Sequence, residues 1–153
     1  MAQVVRDMES GVASATAPIY LLLFPIPVVC FIGALLTDIA YSASAFLQWL
    51  HFSEWLIAGG LLLGALAALV LLIEFFASHA IRTGPFGWAH LVLFYLALVV
   101  ELFNAFVHTE DGWTAVAPGG MTLSIIGTIL AVAAVIALFR VPVTWIPHRE
   151  ARP

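Results

Sequence analysis

The sequence predicts an all-α fold: an integral membrane four-helix bundle, up-down-up-down, with both termini in the cytoplasm (N-in/C-in). Composition is the first reason. Of 153 residues, 63% are hydrophobic and only 9% are charged, whereas a soluble domain carries about 25% charged residues. Most of the chain must therefore face lipid. The second reason is a set of four apolar stretches at 19–37, 55–73, 88–107 and 121–139. Each approaches the roughly 20 residues a helix needs to cross a bilayer. The third is the placement of charge. Arg6 precedes the first stretch, Arg82 lies between the second and third, and Arg140, Arg149 and Arg152 follow the fourth. The other two connections carry Asp38, Glu54, Glu110 and Asp111 and no Lys or Arg. Basic residues stay on the cytoplasmic side, so this split orients the bundle.

The elements follow in order. Residues 1–17 are a cytoplasmic leader, acidic as well as basic (Arg6, Asp7, Glu9) and so unlike a signal peptide. Residues 18–141 form one transmembrane domain, with helices at about 19–37, 55–78, 87–108 and 120–140, and 142–153 are a cytoplasmic tail. Pro25 and Pro27 each remove a backbone donor, which kinks or loosens the first helix. The connection 38–54 holds Tyr41, Phe46, Leu47, Trp49, Leu50 and Phe52, so it is expected to lie along the membrane surface. In the second helix Gly60 and Gly64 begin a face that continues through Ala67, Leu71 and Glu74. Small residues at that spacing let helix backbones approach closely, within the bundle or in a homodimer. Arg82-Thr83-Gly84-Pro85 reads as a tight inner turn, and Asp111-Gly112 as the start of the second outer one. Trp49, Trp55 and Trp113 mark the outer membrane boundary, and Trp88 and Trp145 the inner one.

The polar residues within the spans are the candidate functional groups. On the third helix His90, Phe94, Ala97, Glu101, Asn104 and His108 follow at alternating steps of four and three, which is one helical face. Such a face turns inward, because unpaired polar groups in hydrocarbon are costly. Glu101 is then either protonated or held by hydrogen bonds, and Glu74 is either functional or directed towards His79 or Arg82. Four histidines pair by membrane side: His51 with His108, and His79 with His90. Two histidines at one level on neighbouring helices could ligate a b-type haem. Interfacial histidines without a cofactor are the plainer alternative. No metal site is assigned. A net charge of -4 with no basic patch excludes nucleic acid. The soluble catalytic signatures are absent, among them the P-loop, GxSxG, CxxC and HExxH. Cys30 has no partner for an intrachain disulfide.

Phe24-Pro25-Ile26-Pro27, the segment 33–41 (GALLTDIAY), Phe52-Ser53-Glu54-Trp55-Leu56, and 102–108 (LFNAFVH) with Asp111-Gly112-Trp113-Thr114 resemble the bacterial membrane-protein family called domain of unknown function 2231. The resemblance spans most of residues 18–130 and implies a four-helix inner-membrane protein without a settled activity. It also implies an association of some members with periplasmic sugar-dehydrogenase and cytochrome c systems. The chain departs from the family pattern at Ala17-Pro18, at Glu74, at Phe94 and throughout 140–153.

The function expected is a small polytopic inner-membrane protein, an accessory or anchoring subunit of a larger, redox-linked membrane complex and not an enzyme. It would contact lipid and protein subunits in the membrane or periplasm, or form a homo-oligomer. The alternatives are a haem electron-transfer protein using His79, His90, His51 and His108, and a proton or small-solute pathway using Glu101, Asn104 and Glu74.

Overall fold

A computed structural model describes residues 19–77, 85–110 and 112–140. The expected leader, the tail, the turn carrying Arg82, and His79 lie outside the described residues. The elements are α1 (Pro25–Ser44), α2 (Leu47–Ala77), α3 (Pro85–His108), the short α4 (Trp113–Val116) and α5 (Gly119–Phe139). Four helical stretches are long and apolar enough to cross a membrane: Ile19–Ser44, Leu47–Ala77, Gly87–His108 and Thr114–Phe139.

Pro25 opens α1, where its missing N–H costs nothing because the first helical donors have no partner inside the helix. Residues 19–23 are also helical, and the break between the two parts falls at Phe24. At the other end Ala45 takes a left-handed conformation, φ 54°, and its N–H bonds the Tyr41 carbonyl at 2.7 Å. That cap stops α1. Only Ala45 and Phe46 separate it from α2.

This corrects the expected surface segment at 38–54. Its residues instead extend both helices, so α1 runs to Ser44 and α2 starts at Leu47. The physical reason is that a charged residue with buried partners need not end a span. Asp38 stays inside the bundle because other helices supply its hydrogen-bond partners.

α1 packs on α2 and α5, and α3 packs on α2 and α5, so the four long helices close into a ring. Each buries one narrow stripe. On α1 it is Pro27, Phe31, Ala34, Asp38 and Tyr41; on α3 it is His90, Phe94, Ala97, Glu101, Asn104 and His108. On α2 it runs from Leu50 through Ser53, Ile57, Gly60, Gly64, Ala67 and Leu71 to Glu74. On α5 it is Gly120, Ser124, Gly127, Ala131 and Ala134. Steps of three and four average 3.5 residues, the period of helices packed at shallow angles. Leu62, Leu66, Leu69, Phe103, Phe106, Ile129 and Phe139 point outward and are exposed, as a lipid-facing surface requires.

The small seam residues set how closely the helices approach. A side chain on Gly60 would meet Phe31 Cε1 at 2.7 Å and Cys30 Cβ at 2.9 Å, whereas one on Gly59 would meet nothing within 4 Å. Gly64 sits against Leu98 and Pro27 in the same way. Both glycines of the pair therefore face other helices of the same chain. Gly60→Val is expected to destabilise the bundle by about 1–3 kcal/mol through overpacking. Gly59→Val should leave it within about 0.5 kcal/mol. Unfolding of both variants in a denaturing detergent titration checks the contrast.

Candidate functional site

Six buried polar side chains from the four long helices meet at the end of the bundle where α1 turns into α2. Asp38 is the centre. Its Oδ1 accepts from the Ser53 hydroxyl at 2.5 Å and faces His108 Nε2 at 3.0 Å, and its Oδ2 accepts from the Ser124 hydroxyl at 2.5 Å. Asn104 extends the network towards the middle of the bundle. Its Nδ2 donates to Ser124 Oγ at 2.8 Å and to Glu101 Oε2 at 3.0 Å. Asp38, Ser53, Glu101, Asn104 and Ser124 are fully buried and His108 is 2% exposed.

The hydrogen-bond directions constrain the protons. His108 Nδ1 lies 3.0 Å from the Asn104 carbonyl, which can only accept, so Nδ1 carries hydrogen. Nε2 and Asp38 Oδ1 then share one further proton between them. Ser53 Oγ is also 3.3 Å from Nε2. The group is not a hydrolytic triad, in which acid and nucleophile bond opposite ring nitrogens. Here Asp38 and Ser53 address the same nitrogen.

Two glycines make the site possible. The space that Gly127 leaves is taken by Glu101: a side chain there would collide with Oε1 and lie 2.7 Å from Cδ. A side chain on Gly120 would collide with the Ala115 carbonyl and meet His108 Cε1 at 2.8 Å.

A second, smaller group lies towards the other end of the bundle. The Tyr20 hydroxyl bonds His90 Nε2, and His90 Nδ1 lies 2.8 Å from the Ala134 carbonyl. Since that carbonyl can only accept, Nδ1 carries the hydrogen and Nε2 accepts from Tyr20. Phe24 stands edge-on to His90 and to Phe94, each at 5.0 Å between ring centres. Glu74 is 4% exposed and lies within electrostatic reach of Tyr20. Between the two groups the seam is apolar: Phe31, Phe94, Ala97 and Ala131.

Of the four candidate haem ligands, His79 lies outside the described residues, and the other three have partners within the chain. His90 and His108 sit on one helix 18 residues apart, about 27 Å at helical rise, and both ring nitrogens of each are engaged within the chain. His51 is on the α2 surface, 3.2 Å from Glu54 Oε2. Among the described residues no three His, Cys, Asp or Glu side chains form a metal-binding group.

Residues 16–141 match the family model for predicted membrane proteins called DUF2231. The chain belongs to this family. No curated protein and no solved structure matches it. In this DUF2231 protein the matched segment contains the four candidate spans and the whole polar cluster.

Asp38, Ser53 and Ser124 are the site residues that sequence reasoning missed. By its charge Asp38 reads as part of a connection, and the two serines carry no charge to single them out. A signal was available. Each falls in register with the small and aromatic residues of its helix: Phe31-Ala34-Asp38-Tyr41, Leu50-Ser53-Ile57-Gly60 and Gly120-Ser124-Gly127.

Proposed function

We propose that this protein is a structural subunit of the bacterial inner membrane, an accessory or anchoring component of a larger, redox-linked complex. The observation that carries this reading is the hydrogen bonding of buried Asp38 and His90 across the helices. Asp38 receives hydrogen bonds from α2, α3 and α5, and His90 ties α3 to Tyr20 and to α5. Polar groups arranged this way fasten helices to one another and define a single packing. A rigid, lipid-facing bundle of this kind suits a membrane anchor.

The bundle runs up-down-up-down with both termini cytoplasmic and the Asp38–His108 end towards the periplasm. Two features support this. The cluster draws on the late turns of α1 and α3 and the early turns of α2 and α5. In the sequence the arginines precede α1, fall between α2 and α3, and follow α5, whereas the α1–α2 and α3–α5 connections carry none.

Isolation in mild detergent tests the role. At least one membrane or periplasmic protein is expected to co-purify in near-stoichiometric amount. Recovery of the chain only as a lone species, or only as its own oligomer, contradicts an accessory role. Sidedness reporters fused to each terminus test the orientation; a periplasmic signal from either would reject it.

A further inference from the structure

We infer that Glu101 is a proton-binding site in the interior of the bundle, carrying its proton on Oε1. Two buried carboxyls lie in one hydrogen-bonded network, and their surroundings differ. Asp38 has three donors around it, the Ser53 and Ser124 hydroxyls and His108 Nε2. Glu101 has one, Asn104 Nδ2, on Oε2 alone. Its Oε1 is buried with no hydrogen-bond partner, pressed into the notch left by Gly127. A charged oxygen with no donor in an apolar interior costs far more than a neutral one. Neighbouring carboxyls whose environments diverge in this way take opposite protonation states. Glu101, with a single donor and an unpartnered oxygen, takes the proton.

The competing occupant is a metal cation, and the ligand count decides against it. Hard cations need six or more oxygens, whereas the unpartnered acceptors of this group are Glu101 Oε1 and Asn104 Oδ1. A proton needs one oxygen. The titratable groups in reach of Glu101 are Asp38 from α1 and His108 from its own helix. Glu54 of α2 acts on His108, and α5 contains no titratable residue.

Exchange with water runs towards the His108 end. A groove between α2 and α3, lined by Glu54, Ile57, Ala58, Ala105, His108 and Thr109, reaches the His108 ring. From there Asp38, Ser124 and Asn104 lead to Glu101. In the opposite direction Phe94, Phe31, Ala97 and Ala131 close the seam. Uptake is a plain protonation: the carboxylate gains one proton from water at that end, and no electron moves.

Infrared spectroscopy of the full chain in detergent at neutral pH is the test. A protonated-carboxyl C=O band is expected, shifted by ¹³C-glutamate labelling, retained in Glu74→Gln and lost when Glu101→Gln is added to that variant. Absence of the band in Glu74→Gln, or its survival in the double variant, overturns the assignment. The wild type can also be probed alone with dicyclohexylcarbodiimide. The carboxyl O–H adds across the reagent and the adduct rearranges to a stable N-acylurea, which mass spectrometry locates. Labelling at Glu101 that falls as pH rises supports the proton site. Suppression by sodium at constant pH shows a metal-cation site instead and overturns it.

Discussion

Replacing Asp38 with alanine is expected to destabilise the bundle by about 3–5 kcal/mol, the cost of removing one partner from a buried charge pair. The change strips the acceptor from the Ser53 and Ser124 hydroxyls and from His108 Nε2 at once. All three donors are buried, so water does not replace the lost oxygens. Asp38→Asn keeps the shape and one acceptor oxygen and should cost less. The pair Asp38→Leu and His108→Leu offers a sharper check. Either alone leaves a polar or charged partner unsatisfied, whereas together they leave an apolar contact. The double variant should therefore lose less than the sum of the two singles. Detergent-denaturation midpoints for the two singles and the double would decide it. Strict additivity would mean that the 3.0 Å contact between Asp38 and His108 contributes nothing to folding.

The second large effect is expected at Gly127. A methyl group there would occupy the place of Glu101 Oε1, 2.7 Å from Cδ. In Gly127→Ala the carboxyl must leave its notch, giving up the Asn104 bond at 3.0 Å, or α5 must move away from α3. Overpacking of this kind costs about 1–3 kcal/mol. Against it stands only the usual helix-propensity gain of about 1 kcal/mol on replacing glycine by alanine. A net loss of stability is expected, partly relieved by Glu101→Ala in the same chain. The same denaturation assay on the single and double variants measures this. A Gly127→Ala protein more stable than the wild type would show that the carboxyl does not lie against α5.

Much of this architecture is legible in the residue order. The stripe His90, Phe94, Ala97, Glu101, Asn104 and His108 is recognisable by its steps and is buried throughout. The Gly60–Glu74 face of α2 is equally plain and is also buried. Both are local periodicities, and hydrocarbon forces them inward whatever the rest of the chain does. The limits of α1 and α2 were not legible. In the residue order Asp38 reads as the end of a span, and the aromatic residues after it as a surface segment. In the structure they prolong two helices joined by Ala45 and Phe46.

The sequence alone determined that the chain is helical, that lipid is its solvent and which face of α3 turns inward. Composition and period carry those facts, and neither depends on distant residues. Only the tertiary structure decided that Asp38 is the hub of a cluster, that Ser53 and Ser124 belong to it, and that Gly127 makes room for Glu101. The partners of Asp38 lie 15, 70 and 86 positions away. Whether a carboxylate can remain in an apolar interior depends on which donors surround it, and three-dimensional packing assembles those donors.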